Sequence, residues 1–246
     1  MTQKKPEQKP AVLYIVATPI GNLEDISHRA LHILGSVDVL ASEDTRQTRK
    51  IFSRYEIPSP GIFFSYHEHN EETAGKKILK LLEEGKRIAL CTDAGTPGIS
   101  DPGYRIISSA MQNGYRVEVI PGPSAVTSAL LASGLPTSSF TFKGFPPRKK
   151  GQRTKFLEME KDMPHTLVLF ESPNRVETLL EEALQILGNR QAAVCIDLTK
   201  MFEEVHKGFL QELLTHFSGK TIKGEVTVVI SGNNPKFIAS GGQKPF

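Results

Sequence analysis

Short runs of β-branched and other apolar residues alternate with amphipathic segments along most of the chain. In the amphipathic segments apolar residues recur at helical spacing, and several segments end at a glycine, as at Gly35 and Gly85. Strands are predicted at residues 14–17, 37–41, 62–64, 87–91, 116–120, 139–142, 166–170, 192–198 and 226–230. This alternation predicts an α/β fold with largely parallel strands.

The alternation pauses once, near Pro136, and then resumes. The pause predicts an N-terminal α/β domain at 11–136 and a C-terminal α/β domain at 137–232. Residues 1–10 are rich in Lys, Gln and Pro and are predicted to form a disordered leader, and residues 233–246 are predicted to form a disordered tail.

The composition is that of an ordinary globular protein. The chain has 246 residues, 39% of them hydrophobic, with 30 basic residues against 27 acidic ones, and its mean hydropathy is -0.23. No apolar run approaches the length needed to cross a bilayer. Both cysteines, Cys91 and Cys195, lie within apolar runs. We therefore expect a cytoplasmic protein with no membrane segment and reduced thiols. A net charge of +3 is too small to indicate nucleic-acid binding by itself.

Four loops rich in glycine and proline follow predicted strands, at 18–22, 92–103, 121–124 and 171–175. Ligands of open α/β sheets bind at the carboxyl ends of strands, where glycine allows close backbone approach and proline fixes the loop. The chain has no GxxxxGK[ST] motif, and no GxGxxG follows its first strand. The loops therefore indicate a shaped pocket for a nucleoside, and the alternative for any single loop is an ordinary tight turn.

Charged side chains add further candidates. Residues 43–46, Glu-Asp-Thr-Arg, follow the second strand and could relay a proton, orient a polar substrate or cap a helix. His67 and His69 have the spacing of two metal ligands, but the sequence offers no third and fourth, so no metal site is predicted. A basic run spans residues 148–155, and charge alone favours a solvated loop there.

Six runs occur in a characteristic order. They are ATPIGNLEDISHRAL (17–31), ASEDTRQT (41–48), TDAGTPGISDPG (92–103), VIPGPSAVTSALLASGLP (119–136), FESPNR (170–175) and LTKMFEE (198–204). Together they resemble the tetrapyrrole methylase superfamily and, within it, the ribosomal RNA small-subunit methyltransferase I group, which methylates the 2′-hydroxyl of a cytidine in the decoding region. The match covers residues 13–231.

The resemblance implies two α/β domains of the class III methyltransferase type, with S-adenosylmethionine bound in the cleft between them. It also implies a homodimer that acts on small-subunit ribosomal RNA or the 30S subunit. The residues carried over as cofactor-binding are Ile20, Asp93, Thr96, Ser124, Ala125, Phe170, Glu171, Gly224 and Glu225. Asn174 stands where the group often has His, and Ile196-Asp197 stands where it usually has Arg-Glu.

Several charged residues follow predicted strands and are therefore candidates for contact with the substrate. Glu43, Asp44 and Asp101 are our candidates for the group that accepts the proton of a sugar hydroxyl. The candidates for contacts with RNA phosphates are Arg46, Arg49, Arg148, Lys149 and Lys200.

Two other functions stay open at this point. A methylase of a tetrapyrrole ring has the same fold, although the loops at 18–22 and 92–103 resemble the RNA group more closely. A non-catalytic nucleoside-binding regulator would bind the cofactor without transferring its methyl group.

Overall fold

The computed structural model describes residues 11–238, so the predicted leader and residues 239–246 of the predicted tail lie outside the described residues. The chain divides into two compact units, one up to Ser124 and the other from Ala125 onward. No helix in the described part of the chain is long and apolar enough to cross a membrane.

The first unit alternates strands and helices throughout. Its elements are β1 Val12–Val16, α1 His28–Leu34, β2 Val39–Ser42, α2 Thr45–Tyr55, β3 Ile62–Ser65, α3 Glu71–Glu83, β4 Arg87–Cys91, α4 Tyr104–Gln112 and β5 Arg116–Ile120. The strands form one sheet in the order β3-β2-β4-β1-β5, and every neighbouring pair is parallel. The predicted parallel α/β arrangement is confirmed for this unit.

Helices cover both faces of this sheet because successive strand residues point to opposite sides. Leu13 and Ile15 pack with α3 and α4 on one face. Val16 and Leu40 pack with α1 and α2 on the other face. The chain leaves β1 for α1 on one face of the sheet and leaves the adjacent β4 for α4 on the opposite face, so the two connections diverge at the carboxyl ends of neighbouring strands. Such a divergence leaves a crevice, the usual ligand position of an open α/β sheet.

The second unit has a mixed sheet. Its elements are α5 Ala125–Ser133, β6 Phe140–Phe142, α6 Lys150–Glu158, β7 Thr166–Glu171, α7 Val176–Leu187, β8 Gln191–Ile196, β9 Glu204–Phe209, α8 Leu210–Phe217 and β10 Val226–Ile230. The strand order is β6-β7-β10-β8-β9. Only β6 and β7 pair in parallel, and the other three pairs are antiparallel.

The expectation of largely parallel strands was therefore wrong for the second unit. The strand that sequence reasoning missed is β9, a half-exposed edge strand in which polar residues such as His206 and Lys207 dilute the apolar signal. The seven-residue loop 197–203 joins β8 to β9. A connection this short holds no crossover helix, so the two strands run antiparallel.

Two predicted boundaries also differ from the structure. The boundary at Pro136 lies after α5, whereas α5 packs on β10, β8 and β7 and so belongs to the second unit. The pause in the pattern marks the end of a helix rather than the end of a domain. The predicted tail begins too early, because residues 235–237 form a turn of 3-10 helix and Ile238 forms a β-bridge with Arg190.

Candidate functional site

The loops that follow β1 and β4 are bound to each other at the carboxyl edge of the first sheet. The Thr18 amide donates to the Gly95 carbonyl at 2.8 Å, and the Gly95 amide donates to the Thr18 carbonyl at 3.1 Å. Thr18 Oγ1 donates to the Thr92 carbonyl at 3.0 Å. This pairing fixes the two loops at the point where the crevice opens. Two predicted cofactor residues lie on them, buried Ile20 on the β1 loop and half-buried Thr96 on the β4 loop.

The loop after β5 approaches the end of β1 so closely that only glycine fits. A Cβ built on Gly122 would lie 2.9 Å from Ala17 Cβ and 3.4 Å from the Ala17 carbonyl oxygen. Ser124, another predicted cofactor residue, ends this loop, and Ala125 begins α5. The absence of a side chain at Gly122 thus lets the Pro-Gly-Pro-Ser loop lie against the residue that precedes the β1 loop.

We expect Gly122→Ala to lower the free energy of unfolding of the first unit by about 1–3 kcal/mol, because the added methyl group overpacks the contact with Ala17. All five tyrosines lie in this unit and the chain has no tryptophan, so tyrosine fluorescence during urea unfolding reports on it alone. Gly61→Ala is the matched control, since a Cβ there meets nothing within 4 Å. Equal losses in the two variants would contradict this prediction.

The long turn between β4 and α4 is held by Glu71, at the start of α3. Its Oε1 accepts a 3.1 Å hydrogen bond from the Gly103 amide and a 2.9 Å bond from the Tyr66 hydroxyl. Its Oε2 forms an ion pair with Arg105 at 3.7 Å. Burial and the bond to Glu71 raise the pKa of the Tyr66 hydroxyl, which stays a donor. The candidate Asp101 lies on this turn and is partly exposed.

Three carboxylates meet where β2 and β4 end. Asp93 Oδ1 accepts a 2.9 Å hydrogen bond from the Asp44 amide. Glu43 Oε2 accepts a 3.4 Å bond from the Asp93 amide. The two loops therefore hold each other through carboxylate–amide bonds, and their acidic side chains share one edge of the sheet. We call Glu43, Asp44 and Asp93 the carboxylate cluster.

The three carboxyl groups of the cluster have different surroundings, which shift their pKa values in different directions. Burial raises the pKa of Glu43, and the neighbouring charge of Asp93 adds to this effect. Burial also raises the pKa of Asp93. The hydrogen bonds from Arg46 lower the pKa of Asp44 to about 2. Asp44 accepts the Arg46 amide at 2.8 Å as the cap of α2, and it forms a two-pronged ion pair with the Arg46 guanidinium. The capping interpretation of Asp44 is confirmed.

His67, one of the two histidines for which no metal site was predicted, lies beside this cluster. The charge of His67 acts on Glu43 and lowers its pKa against the effect of burial. Its Nδ1 atom is buried and has no hydrogen-bond partner within residues 11–238, and the same holds for Ser42 Oγ at the end of β2. Unpaired buried polar atoms are uncommon and need a reason. Here they lie at the edge where the sequence predicts a polar ligand.

These loops suit S-adenosylmethionine in charge and shape. Residues 92–103 include two aspartates and no basic residue, so they offer no cation for a triphosphate and are compatible with a positive sulfonium. The paired loops at Thr18 and Gly95, and the close approach at Gly122, expose backbone groups that a nucleoside can use. Within residues 11–238 no group of three or more His, Cys, Asp or Glu side chains is placed to hold a metal ion.

The remaining predicted cofactor residues lie at one end of the second sheet. Val226, next to Gly224 and Glu225, pairs with Glu171 on one side and with Ile196 on the other. Gly224 has a φ of +92°, and a Cβ there would clash with the Asp197 carboxylate, so this turn requires glycine.

Three ion pairs organise this end of the sheet. Lys200 is bound to Asp197 at 2.7 Å and to Glu225 at 3.2 Å, so its ammonium is already engaged. Arg175 forms an ion pair with the buried Glu171. Glu171 Oε2 and Arg175 Nη1 are buried without a hydrogen-bond partner in the described part of the chain. Sequence reasoning missed Arg175, although its spacing of four residues from Glu171 was a usable signal.

The basic run divides into two kinds of residue. Arg153 is buried and forms a two-pronged ion pair with Glu182 at 2.6 and 2.8 Å. It supports the fold and is not available to a ligand. The predicted RNA-contacting residues Arg148 and Lys149 are exposed. Arg49 is also exposed, with its guanidinium 5.2 Å from the centre of the Phe63 ring.

The structure thus gathers the predicted residues into two groups. The first, at the carboxyl edge of the first sheet, comprises Ile20, Glu43, Asp44, Arg46, Asp93, Thr96 and Ser124. The second, at one end of the second sheet, comprises Phe170, Glu171, Lys200, Gly224 and Glu225. The roles of these residues in binding and catalysis stay predictions.

Known proteins match this chain over most of its length. The family described as Tetrapyrrole (Corrin/Porphyrin) Methylases matches residues 12–214. A protein named ribosomal RNA small subunit methyltransferase I from Halalkalibacterium halodurans is 48% identical over 237 residues, covering 96% of this chain and 81% of that protein. A protein of the same name from Thermotoga maritima is 44% identical and covers 89% of this chain and 98% of its own length.

Solved structures show the same fold at lower identity. A cobalamin biosynthetic enzyme, cobalt precorrin-4 methyltransferase, has a TM-score of 0.66 at 16% identity and covers 89% of this chain and 94% of its own. Uroporphyrin-III C-methyltransferase from Thermus thermophilus has a TM-score of 0.62 at 21% identity, with the same coverage. The predicted fold class and family resemblance are confirmed. The chain is a methyltransferase of the tetrapyrrole methylase family and belongs, within it, to the ribosomal RNA small subunit methyltransferase I group.

Proposed function

We propose that this enzyme transfers the methyl group of S-adenosylmethionine to the 2′-hydroxyl of a cytidine in small-subunit ribosomal RNA, near the decoding centre. The observation that carries the proposal is the 48% identity to a ribosomal RNA small subunit methyltransferase I over 96% of the chain. The ring methylases share the fold at only 16–21% identity, which favours RNA over a tetrapyrrole. On the same resemblance we propose a cytoplasmic homodimer.

S-adenosylmethionine, when bound, supplies an electrophilic methyl group. The work left to the protein is to align a hydroxyl oxygen with that group, and good alignment contributes about 7–11 kcal/mol in favourable cases. The loops after β1, β4 and β5 are suited to this because they are pinned to one another at Thr18, Gly95 and Gly122. A rigid binding surface has less conformational freedom to lose when the reactants are bound.

A sugar hydroxyl also needs an acceptor for its proton at neutral pH. Glu43 suits this role better than Asp44, because a carboxylate with a raised pKa is the stronger base. Asp44 has a pKa of about 2, caps α2 and is paired with Arg46. We therefore assign proton acceptance to Glu43 and a positioning role to Asp44 and Arg46. The Arg46 side chain is 86% exposed and lies at the right edge for an RNA phosphate.

Exposed cations of the basic run are the proposed RNA contacts on the second unit. The logarithm of the RNA association constant falls as the logarithm of the salt concentration rises, with a slope of about -0.7 for each single-strand phosphate contact. Replacing Arg148, Lys149 and Lys150 by glutamine should therefore make this slope shallower by about 2. RNA binding measured at several salt concentrations gives this slope. Lys155→Gln serves as a single-charge control on the far turn of α6. An unchanged slope in the triple variant would mean that these cations are solvated and do not contact RNA.

Transfer of label tests the substrate class. Radiolabelled S-adenosylmethionine is incubated with the purified protein and either small ribosomal subunits that lack the modification or porphyrinogens. We expect label in the subunits alone. Label in porphyrinogens alone would refute the proposal, and cofactor binding without any transfer would indicate a regulator.

A further inference from the structure

An exposed aromatic ring lies between the second sheet and the basic run. Phe145 follows β6 and is 55% exposed, although its ring centre lies 5.6 Å from that of Phe170 on β7. Phe170 is supported in turn by Phe142 at 4.8 Å. The Phe145 ring is therefore held from one side, while more than half of its surface faces solvent. A large exposed apolar ring on a fixed support is a candidate contact surface.

The loop that carries this ring is fixed on both sides. The Phe170 amide donates to the Gly144 carbonyl at 3.0 Å, just before Phe145. Just after it, Arg153 Nη1 donates to the Pro147 and Arg148 carbonyls at 3.2 and 2.9 Å. Arg153 is itself held by Glu182, whose hydrogen bonds raise the pKa of the guanidinium, and the charge of Glu171 adds to this. The loop is thus preorganised before any ligand binds.

Three exposed cations follow this ring after two prolines. Arg148, Lys149 and Lys150 lie at the amino-terminal end of α6, where Lys149 is the cap residue and makes no side-chain capping bond. Positive charge at this end opposes the helix dipole, so the arrangement does not favour the helix itself. Across residues 11–238 these three side chains form no ion pair. Their charges are available to an external polyanion.

We propose that Phe145 and these three cations form a subsite for an unpaired nucleotide of the RNA substrate. The base stacks on the exposed face of Phe145, and Arg148, Lys149 and Lys150 contact the flanking phosphates. Aromatic stacking beside cations is the chemistry by which proteins bind single-stranded nucleic acid. Paired bases in a duplex do not offer their faces, so the subsite selects single-stranded RNA. This inference rests on the proposed function only in taking RNA as the substrate.

Binding of a fluorescent single-stranded RNA dodecamer to the full-length chain, followed by anisotropy, tests the subsite. We expect Phe145→Ala to raise Kd by about 5- to 150-fold, the range for loss of one stacked base. Phe145→Trp should bind as the wild type does, whereas Phe145→Leu should resemble Phe145→Ala. The matched control is Phe140→Ala, an exposed phenylalanine on β6 outside this loop. Binding of the same dodecamer annealed to its complementary strand should not respond to Phe145→Ala.

Three results would overturn the inference. They are an unchanged Kd in Phe145→Ala, full binding by Phe145→Leu, and an equal rise in the Kd for S-adenosylmethionine, which would assign the ring to the cofactor. Because Phe145→Leu keeps an apolar side chain of similar size, it stays informative where Phe145→Ala does not fold. Failure of the wild type to methylate small subunits would instead count against the proposed function and leave the dodecamer result valid.

Discussion

Glu43→Gln should lower kcat for methyl transfer to small ribosomal subunits by about 10²–10⁴-fold, the contribution of a positioned proton acceptor. The amide has nearly the shape of the carboxylate and can still accept the Asp93 amide bond, so the loop should keep its structure. Affinity for S-adenosylmethionine should not change. Single-turnover rates with saturating cofactor and subunits measure this effect directly.

The pH profile gives the same assignment an independent test. A proton acceptor works in its ionised form, and burial raises the pKa of Glu43 from the ordinary value of 4.5. Wild-type kcat should therefore be constant at high pH and fall as the pH drops through this raised pKa. Glu43→Gln should lack this acid limb.

Asp44→Asn and Asp101→Asn are the comparison variants. Asp44 has a pKa of about 2, so its titration cannot produce a limb at higher pH. Asp44→Asn should remove the ion pair with Arg46, retain a side-chain oxygen that caps α2, and keep the acid limb. If either comparison variant removes the limb while Glu43→Gln retains it, proton acceptance belongs to that aspartate.

The largest stability effect is expected at Arg153. Arg153→Leu should lower the free energy of unfolding of the second unit by about 3–5 kcal/mol, because it leaves Glu182 as an unpaired buried charge. The side chains of both residues are only 7% exposed, so water does not replace the lost partner. The carbonyls of Pro147 and Arg148 also lose their donor.

Far-ultraviolet circular dichroism during urea unfolding measures this loss. Tyrosine fluorescence in the same samples should not shift, since all tyrosines lie in the first unit. Arg148→Leu, at an exposed position in the same run, should change stability by less than about 0.5 kcal/mol. The double variant Arg153→Leu with Glu182→Leu should recover most of the loss. A large loss in Arg148→Leu, or none in Arg153→Leu, would contradict the structural role of Arg153.

Local patterns were sufficient to predict the first unit. Strict alternation of strand and helix implies parallel pairing, and parallel pairing brings every strand's carboxyl end to one edge. The Gly- and Pro-rich loops at Thr18 and Thr92 were therefore expected at one edge, and the pairing of β1 with β4 joins them through the Thr18–Gly95 bridge. The family resemblance added the cofactor, which periodicity alone could not name.

Features that depend on distant residues could not be read from local patterns. The basic run looked uniform in sequence. Arg153 differs from its exposed neighbours because it is paired with Glu182, which lies 29 residues away in the chain. The edge strand β9 lacks the apolar alternation that marks a strand, because none of residues 204–207 is buried. The differing pKa values of Glu43 and Asp44 arise from the burial of one and the pairing of the other with Arg46.

The position of the methyl group on the RNA tests whether this enzyme methylates the 2′-hydroxyl of a cytidine. Small subunits lacking the modification are methylated with labelled S-adenosylmethionine, and the RNA is digested to nucleosides that are separated and identified by mass. We expect the label to elute as 2′-O-methylcytidine. Label on the base of a cytidine, or on any other nucleoside, would contradict it.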